Sequence, residues 1–343
     1  MRYPAVTRDR TLRRSALSLA VALPLTLFCA FSAVGADRGA YRLPTTIPFP
    51  AANPYTPEKA ALGKMLYFDP RLSANNNISC ASCHNPSFGW EVPVDRAVGS
   101  QNTKIGRHAP TVLNHAWADS LFWDGRAPDL EAQSLGPIQA DVEMNLPLDE
   151  AVRRLRAIPG YVDAFERAFP GNGIDADTIA RAIATFERTV VSTYAPFDAW
   201  VAGDENAISG PAKRGFALFN GKAQCSSCHS GWNFTDNRFH DIGLPTNDLG
   251  RYGVDSSKET NRYAFRTPTL RDTLKRAPYT HNGSVEDLRS LIYHYVNGGI
   301  QRPSLSPAMQ SLDLSESEID DLIAFLHTLT GEVPVVPLPV LPN

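Results

Sequence analysis

Cys80-Ala81-Ser82-Cys83-His84 and Cys225-Ser226-Ser227-Cys228-His229 decide the fold of this chain. Both are C-x-x-C-H, the spacing at which two thiols reach the vinyl groups of one porphyrin and the following histidine ligates its iron. Four cysteines also allow two disulfides, or one zinc site of four thiolates. Two copies, each followed at once by histidine, favour two covalent c-type haems, one in each half of the molecule.

The flanking sequence repeats with the motifs. Leu62-Gly63-Lys64-Met65-Leu66-Tyr67 precedes the first and Arg214-Gly215-Phe216-Ala217-Leu218-Phe219 the second. Downstream, Pro110-Thr111-Val112-Leu113 matches Pro268-Thr269-Leu270, Asp124-Gly125 matches Asn282-Gly283, and Asp129-Leu130 matches Asp287-Leu288. Such agreement in spacing indicates a duplicated unit. Ser284 with Asp287 predicts a helix start, after which Leu288, Leu291, Ile292 and Tyr295 share one face until Gly298-Gly299 ends it. The first half carries Leu130, Gln133, Ser134 and Pro137 at those positions, so Tyr295 and Pro137 are repeat partners.

That pairing has chemical content. A tyrosine oxygen can fill the sixth position of an iron, and proline offers nothing to coordinate, so one haem is expected closed and the other open to a small oxidant. The plainer alternative for Tyr295 is a core aromatic. Just beyond Pro137, Glu143 supplies a carboxylate that can take and return a proton, and Gln133 lies on the same helix face as Pro137. The plainer alternative for Glu143 is a solvated loop side chain.

The rest of the chain reads as helical. Ile179, Ile183, Phe186 and Val190 form one apolar stripe, and Ser315 with Glu318 opens a last helix bearing Ile319, Leu322, Ile323 and Leu326. No alternating strand pattern of any length is present. The first 36 residues place five arginines before an apolar run, Ala16 to Ala33, and end on Val34-Gly35-Ala36, the order of an export signal cleaved after Ala36. The run is also long enough to serve as an uncleaved anchor. Cleavage would remove Cys29, five arginines and one aspartate, which moves the net charge from -3 to -7. A mildly acidic exported protein is a poor partner for nucleic acid, and cleavage leaves it without stable membrane insertion. The expected location is the periplasm.

Further stretches match a known family. Phe68-Asp69-Pro70-Arg71-Leu72-Ser73, Ala109-Pro110-Thr111-Val112-Leu113-Asn114, Phe122-Trp123-Asp124-Gly125-Arg126 and Gly136-Pro137-Ile138-Gln139 through Glu143-Met144-Asn145 lie in the first half. Arg266-Thr267-Pro268-Thr269-Leu270 and Ala277-Pro278-Tyr279-Thr280-His281-Asn282-Gly283 lie in the second. On these residues, from about Thr56 to Gly331, the chain resembles the bacterial di-haem cytochrome c peroxidases and their MauG relatives. The resemblance implies an all-α fold of two cytochrome c-like helical domains. The expected division is a signal peptide over 1–36, an N-terminal domain over 37–205 with the peroxidatic haem, a C-terminal domain over 206–331 with the electron-transfer haem, and a proline-rich tail over 332–343.

It also implies an enzyme. Hydrogen peroxide would bind iron opposite His84, Glu143 would act as the distal acid–base, Gln133 as the distal glutamine and Trp123 as the relay between haems. One oxidising equivalent would stay as ferryl haem and the other would pass to the second haem, held by His229 and Tyr295. Electrons would come from a cytochrome c or small copper protein, or from side chains of a companion protein, as Tyr295 in place of the peroxidases' methionine suggests. No histidine stands in Val98-Gly99-Ser100-Gln101-Asn102, where peroxidases needing prior reduction carry a removable one. The resemblance further implies a possible calcium ion between the haems, but His108 stands where the family usually has an asparagine that helps hold it and Arg276 where it has a threonine that contributes its backbone oxygen, while Pro278 matches a second backbone donor. The rival of another class is a non-catalytic di-haem electron carrier. His115, His240, His294, His327 and His281 offer further ligand or relay positions, for which ordinary hydrogen-bonded histidines are the bland alternative. Trp200 and Trp232 are expected to be buried aromatics before they are surface electron exits.

Overall fold

A computed structural model describes residues 38–332 and 335–343. The expected signal and its cleavage point at Ala36 lie outside the described residues, and those described belong to one unit running from Gly35 to Asn343. In chain order the helices are α1 (Pro57–Phe68), α2 (Cys80–Cys83), α3 (Leu130–Gln139), α4 (Leu148–Arg156), α5 (Pro159–Ala168), α6 (Ala176–Arg188), α7 (Pro196–Val201), α8 (Gly210–Asn220), α9 (Leu288–Val296) and α10 (Glu316–His327).

Each half is organised by one helix crossing. Thr56 caps α1 by accepting from the Lys59 amide, with Pro57 in the first helical turn, where its missing N–H costs nothing. Helix α1 crosses α6 at Gly63, where a Cβ would stand 1.9 Å from the Ala182 carbonyl oxygen. Helix α8 crosses α10 at Gly215, where a Cβ would stand 1.9 Å from the Asp321 carbonyl oxygen. Around the first crossing pack Leu62, Leu66, Tyr67, Ile179, Ile183 and Phe186, and around the second Phe197, Phe216, Phe219, Phe234 and Phe325. The stripe expected on α6 is thus the first core face, with Val190 just past the helix end, whereas on α10 the core face is Leu322, Phe325 and Leu326, and Ile319 and Ile323 of the expected stripe lie outside that cluster; Ser315 with Glu318 forms the expected capping box.

The duplication persists to the level of single dihedrals. Asp129 caps α3 and Asp287 caps α9, each through its side chain. Asp287 is the cap, and Ser284 belongs to the preceding turn, a correction to the expected helix start. Asn114 and Asp272, 158 residues apart, both take left-handed backbone at φ 60° and 56°, as do Phe122 and Thr280 at 66° and 82°. The two halves are joined by a reciprocal pair with the same offset. His108 N–H donates to His281 O at 2.8 Å, and Arg266 N–H donates to Trp123 O at 2.8 Å.

A two-residue antiparallel ladder, Phe239–His240 against Phe265–Arg266, is the one sheet among the described residues and too short to leave a sequence pattern. The tail returns to the first half, where Arg71 Nη1 donates to the Pro342 carbonyl at 2.9 Å.

Candidate functional site: two haem cavities around one tryptophan

The two C-x-x-C-H motifs line separate cavities. Cys80, Cys83 and His84 face the first, and Cys225, Cys228 and His229 face the second. All four thiols are free, and their division between two cavities excludes one zinc bound by all four. Both histidines are held neutral, because burial pulls each below its ordinary value against the opposing carbonyls of Pro110 and Phe234. His229 Nδ1 meets the Phe234 carbonyl at 2.9 Å; with Nδ1 as the donor, the Nε2 lone pair is left for a metal.

The donor chemistry fits haem. Arg266 is 8% exposed, lines the second cavity and has a buried Nε without a partner, and burial lowers its pKa to about 10. A buried guanidinium with a free N–H calls for an anion, and haem carries two carboxylates.

Above the first motif, Gln133 and Pro137 stand one turn apart on α3, which turns both toward the same side. The chain then reverses, with Met144 N–H donating to Pro137 O at 3.1 Å and Leu146 N–H to Ile138 O at 2.7 Å, which returns Glu143 to the cavity. Burial raises the Glu143 pKa, opposed by the charge of Arg126. The segment Val98–Asn102 buttresses this loop, since Ser100 N–H donates to Glu143 O at 2.8 Å and Ser100 Oγ to Met144 O at 3.2 Å. In the second cavity, Tyr295 on α9 stands where Pro137 stands on α3, and burial pushes its phenol well above the ordinary range. Trp123 lines both cavities, and its indole Nε1 donates to the His108 carbonyl at 2.8 Å.

The remaining expectations sort themselves by contacts. His281, repeat partner of Trp123, stacks on Phe265 at 3.6 Å between ring centroids and lines the second cavity. His115 lines the first cavity beside Arg266, with Nη2 3.3 Å from its Nε2. His240 pairs with Asp236 at 2.8 Å, His294 meets the Ile242 carbonyl at 2.7 Å, and His327 is exposed in the last turn of α10. Trp200 is buried in the second core, and Trp232 packs edge-on against Trp117 at 4.8 Å.

Three participants escaped the sequence reading: Arg266, Glu187 and Glu91. Glu187 is 4% exposed, lines the first cavity and has an unpartnered Oε2. Its counterpart at the second crossing is Leu326, since both directly follow the phenylalanine, Phe186 or Phe325, that meets the crossing glycine. Aligning α6 with α10 would have exposed it.

The position at which calcium was expected does not fit that ion. Calcium takes six to eight oxygen ligands. His108 instead brings a ring whose Nδ1 lies 3.1 Å from the carbonyls of both Val94 and Asp95 and whose Nε2 lies 3.1 Å from Glu91 Oε2.

A sequence profile for "Di-haem cytochrome c peroxidase" matches residues 57–206, and one for "Cytochrome c" matches residues 212–330. The chain is 51% identical to the methylamine utilization protein MauG of Methylorubrum extorquens, over 90% of this chain and 88% of that one. It is 47% identical to the protein of the same name from Methylophilus methylotrophus, over 92% and 95%. The chain belongs to the di-haem cytochrome c peroxidase and MauG family. Among solved structures, a MauG-like protein associated with microbial copper homeostasis superposes with a TM-score of 0.79 at 30% identity, covering 85% of this chain and 96% of that one. As a member of this family the chain has two cytochrome c-like domains, carries haem c, and is an oxidoreductase that uses peroxide.

Proposed function

We propose that the first cavity is the peroxide site and the second the electron-transfer site of a protein-oxidising enzyme. One observation carries this: of two repeat-related helices, α9 presents Tyr295 to its cavity and α3 presents Pro137. Bound haem supplies the reduction of peroxide to two waters, which consumes two electrons and two protons.

The chain's own residues supply the rest. His84 would hold the first haem, and Pro137, which lines the same cavity, offers no atom that could coordinate its iron. Glu143 takes the first proton of peroxide and returns it to the departing oxygen, a task suited to a carboxyl whose pKa burial has raised. Gln133 orients the peroxide from the same side. Trp123 would pass electrons between the cavities, and His229 with Tyr295, which line the second cavity, would hold the second haem.

Electrons come from side chains of a companion protein that is thereby modified. The phenol at Tyr295 and two relatives near 50% identity whose names place them in methylamine utilization support this over a soluble cytochrome c or copper protein as donor. The enzyme works in the periplasm after loss of residues 1–36. No helix among the described residues is long and apolar enough to cross a membrane.

Glu143→Gln tests the assignment. Peroxide turnover should fall by roughly a hundredfold to ten-thousandfold, the usual weight of a general acid–base, with both resting haem spectra intact. Unchanged turnover overturns it. A plain electron carrier is the outcome if peroxide leaves the spectrum of the oxidised wild-type protein unaltered.

A further inference from the structure

We propose that the positive charge between the two haems is built from side chains, a doubly protonated His108 and the Arg276 guanidinium clamped on Glu91, and that no calcium ion binds there. This rests on the two-haem arrangement and goes beyond the peroxide reaction.

All three side chains are buried, at 2%, 5% and 5% exposure for His108, Arg276 and Glu91. Glu91 spends both oxygens on donors: Oε1 accepts from the Thr111 amide at 2.9 Å and from Arg276 Nη1 at 3.0 Å, and Oε2 faces His108 Nε2 at 3.1 Å. A carboxylate only accepts, so Nε2 carries a proton. Nδ1 faces two carbonyls, which also only accept, so it carries one too. The ring is therefore a cation with no lone pair for a metal. Burial opposes this charge, and the Glu91 contact with the two carbonyls outweighs burial and raises the His108 pKa.

The network is constructed rather than incidental. Arg276 Nη2 donates to the Thr269 carbonyl at 2.5 Å, and its stem passes Gly89, where a Cβ would stand 2.6 Å from Arg276 Cγ. One anion against two cations leaves a single fixed positive charge. It is attached to the path between the cavities, because the His108 carbonyl holds the Trp123 indole and its N–H reaches His281.

The test uses the full holoprotein dialysed against EGTA, followed by metal analysis and by spectra before and after peroxide. The expected result is no bound calcium, with resting and peroxide-treated spectra at both haems unchanged by chelator or by added calcium. Retained calcium, or a spectral change on chelation that calcium reverses, overturns the proposal. His108→Asn removes the cation and restores an oxygen donor; in EGTA its peroxide-induced change at the second haem should fall several-fold. A variant that matches wild type there overturns the charge's role. If peroxide changes neither haem of the wild type, the peroxidase assignment fails, and metal content with the resting spectra still decides this one.

Discussion

The indole N–H of Trp123 donates to the carbonyl of His108 at 2.8 Å, and the Trp123 carbonyl accepts from Arg266 at 2.8 Å. The Trp123 ring, which lines both cavities, is therefore fixed at its edge and at its backbone by residues from both halves. Trp123→Phe keeps an aromatic plane and loses the N–H. The lost hydrogen bond should cost about 1 kcal/mol of stability, too little to unfold the chain. Both resting spectra should persist, and peroxide should still react at the first haem. Oxidation of a protein donor should slow far more than the stability loss explains, as stopped-flow spectra at each haem would show. Equal rates in both proteins would remove Trp123 from the path.

The crossings at Gly63 and Gly215 make a stability prediction. In Gly63→Ala the new methyl would sit 1.9 Å from the Ala182 carbonyl, a backbone atom that cannot swing aside. Overpacking of this kind costs about 1–3 kcal/mol or more, which in a chain of this size lowers Tm by roughly 3–8 °C. Gly215→Ala meets Asp321 at the same distance and should behave alike. Calorimetry on each variant checks the pair. A harmless Gly63→Ala would mean that the crossing is looser than its geometry.

Much of this arrangement is legible in the residues alone, for a physical reason. A haem attachment motif is five consecutive residues, a helix face repeats every three or four, and a duplication repeats its own spacing, so local sequence carries all three. Pro137 and Tyr295 can be paired across 158 residues on that basis alone. What stays hidden depends on contacts between distant residues of ordinary type. Glu91 and Arg276 lie 185 residues apart and meet only in the fold. Arg266 is one arginine among many until burial leaves its Nε without a partner. That His108 replaces the family's asparagine is visible in the sequence, but that both of its ring nitrogens face acceptors is visible only in the fold.

Glu187 should make stability depend on pH. Burial pushes its pKa from the ordinary 4.5 up to about 8. The unfolded chain releases this proton near 4.5, and the folded chain keeps it to about 8. Between those values the folded state binds more protons, so stability falls as pH rises through the window and levels off above it. The loss is about 1.4 kcal/mol at most for each pH unit crossed, so even partial expression is measurable. Glu187→Gln is neutral in both states. Its Tm advantage over wild type should therefore grow from pH 5 to pH 8, and a constant difference would mean that the carboxyl is hydrated.

Tyr295 supports the sharpest prediction, because its phenol is costly to ionise where it stands. Burial raises its pKa well above the ordinary 10. Only a metal's charge can offset that, so a phenolate here implies an iron within bonding reach. Tyr295→Phe keeps the ring and removes the oxygen. The second haem should then lose its sixth ligand and turn high-spin, matching the first, and should bind small ligands such as cyanide. Tyr295→Met replaces an anionic donor with a neutral thioether. That should raise the reduction potential of the second haem by on the order of 100 mV, a fraction of the ~0.8 V that axial ligands span. A higher potential retains electrons, so oxidised states of that haem become harder to reach and donor oxidation should change with them. Resonance Raman and spectroelectrochemistry read both variants. If Tyr295→Phe leaves the spectrum of the second haem untouched, Tyr295 is a core aromatic and its contrast with Pro137 no longer separates an open iron from a closed one.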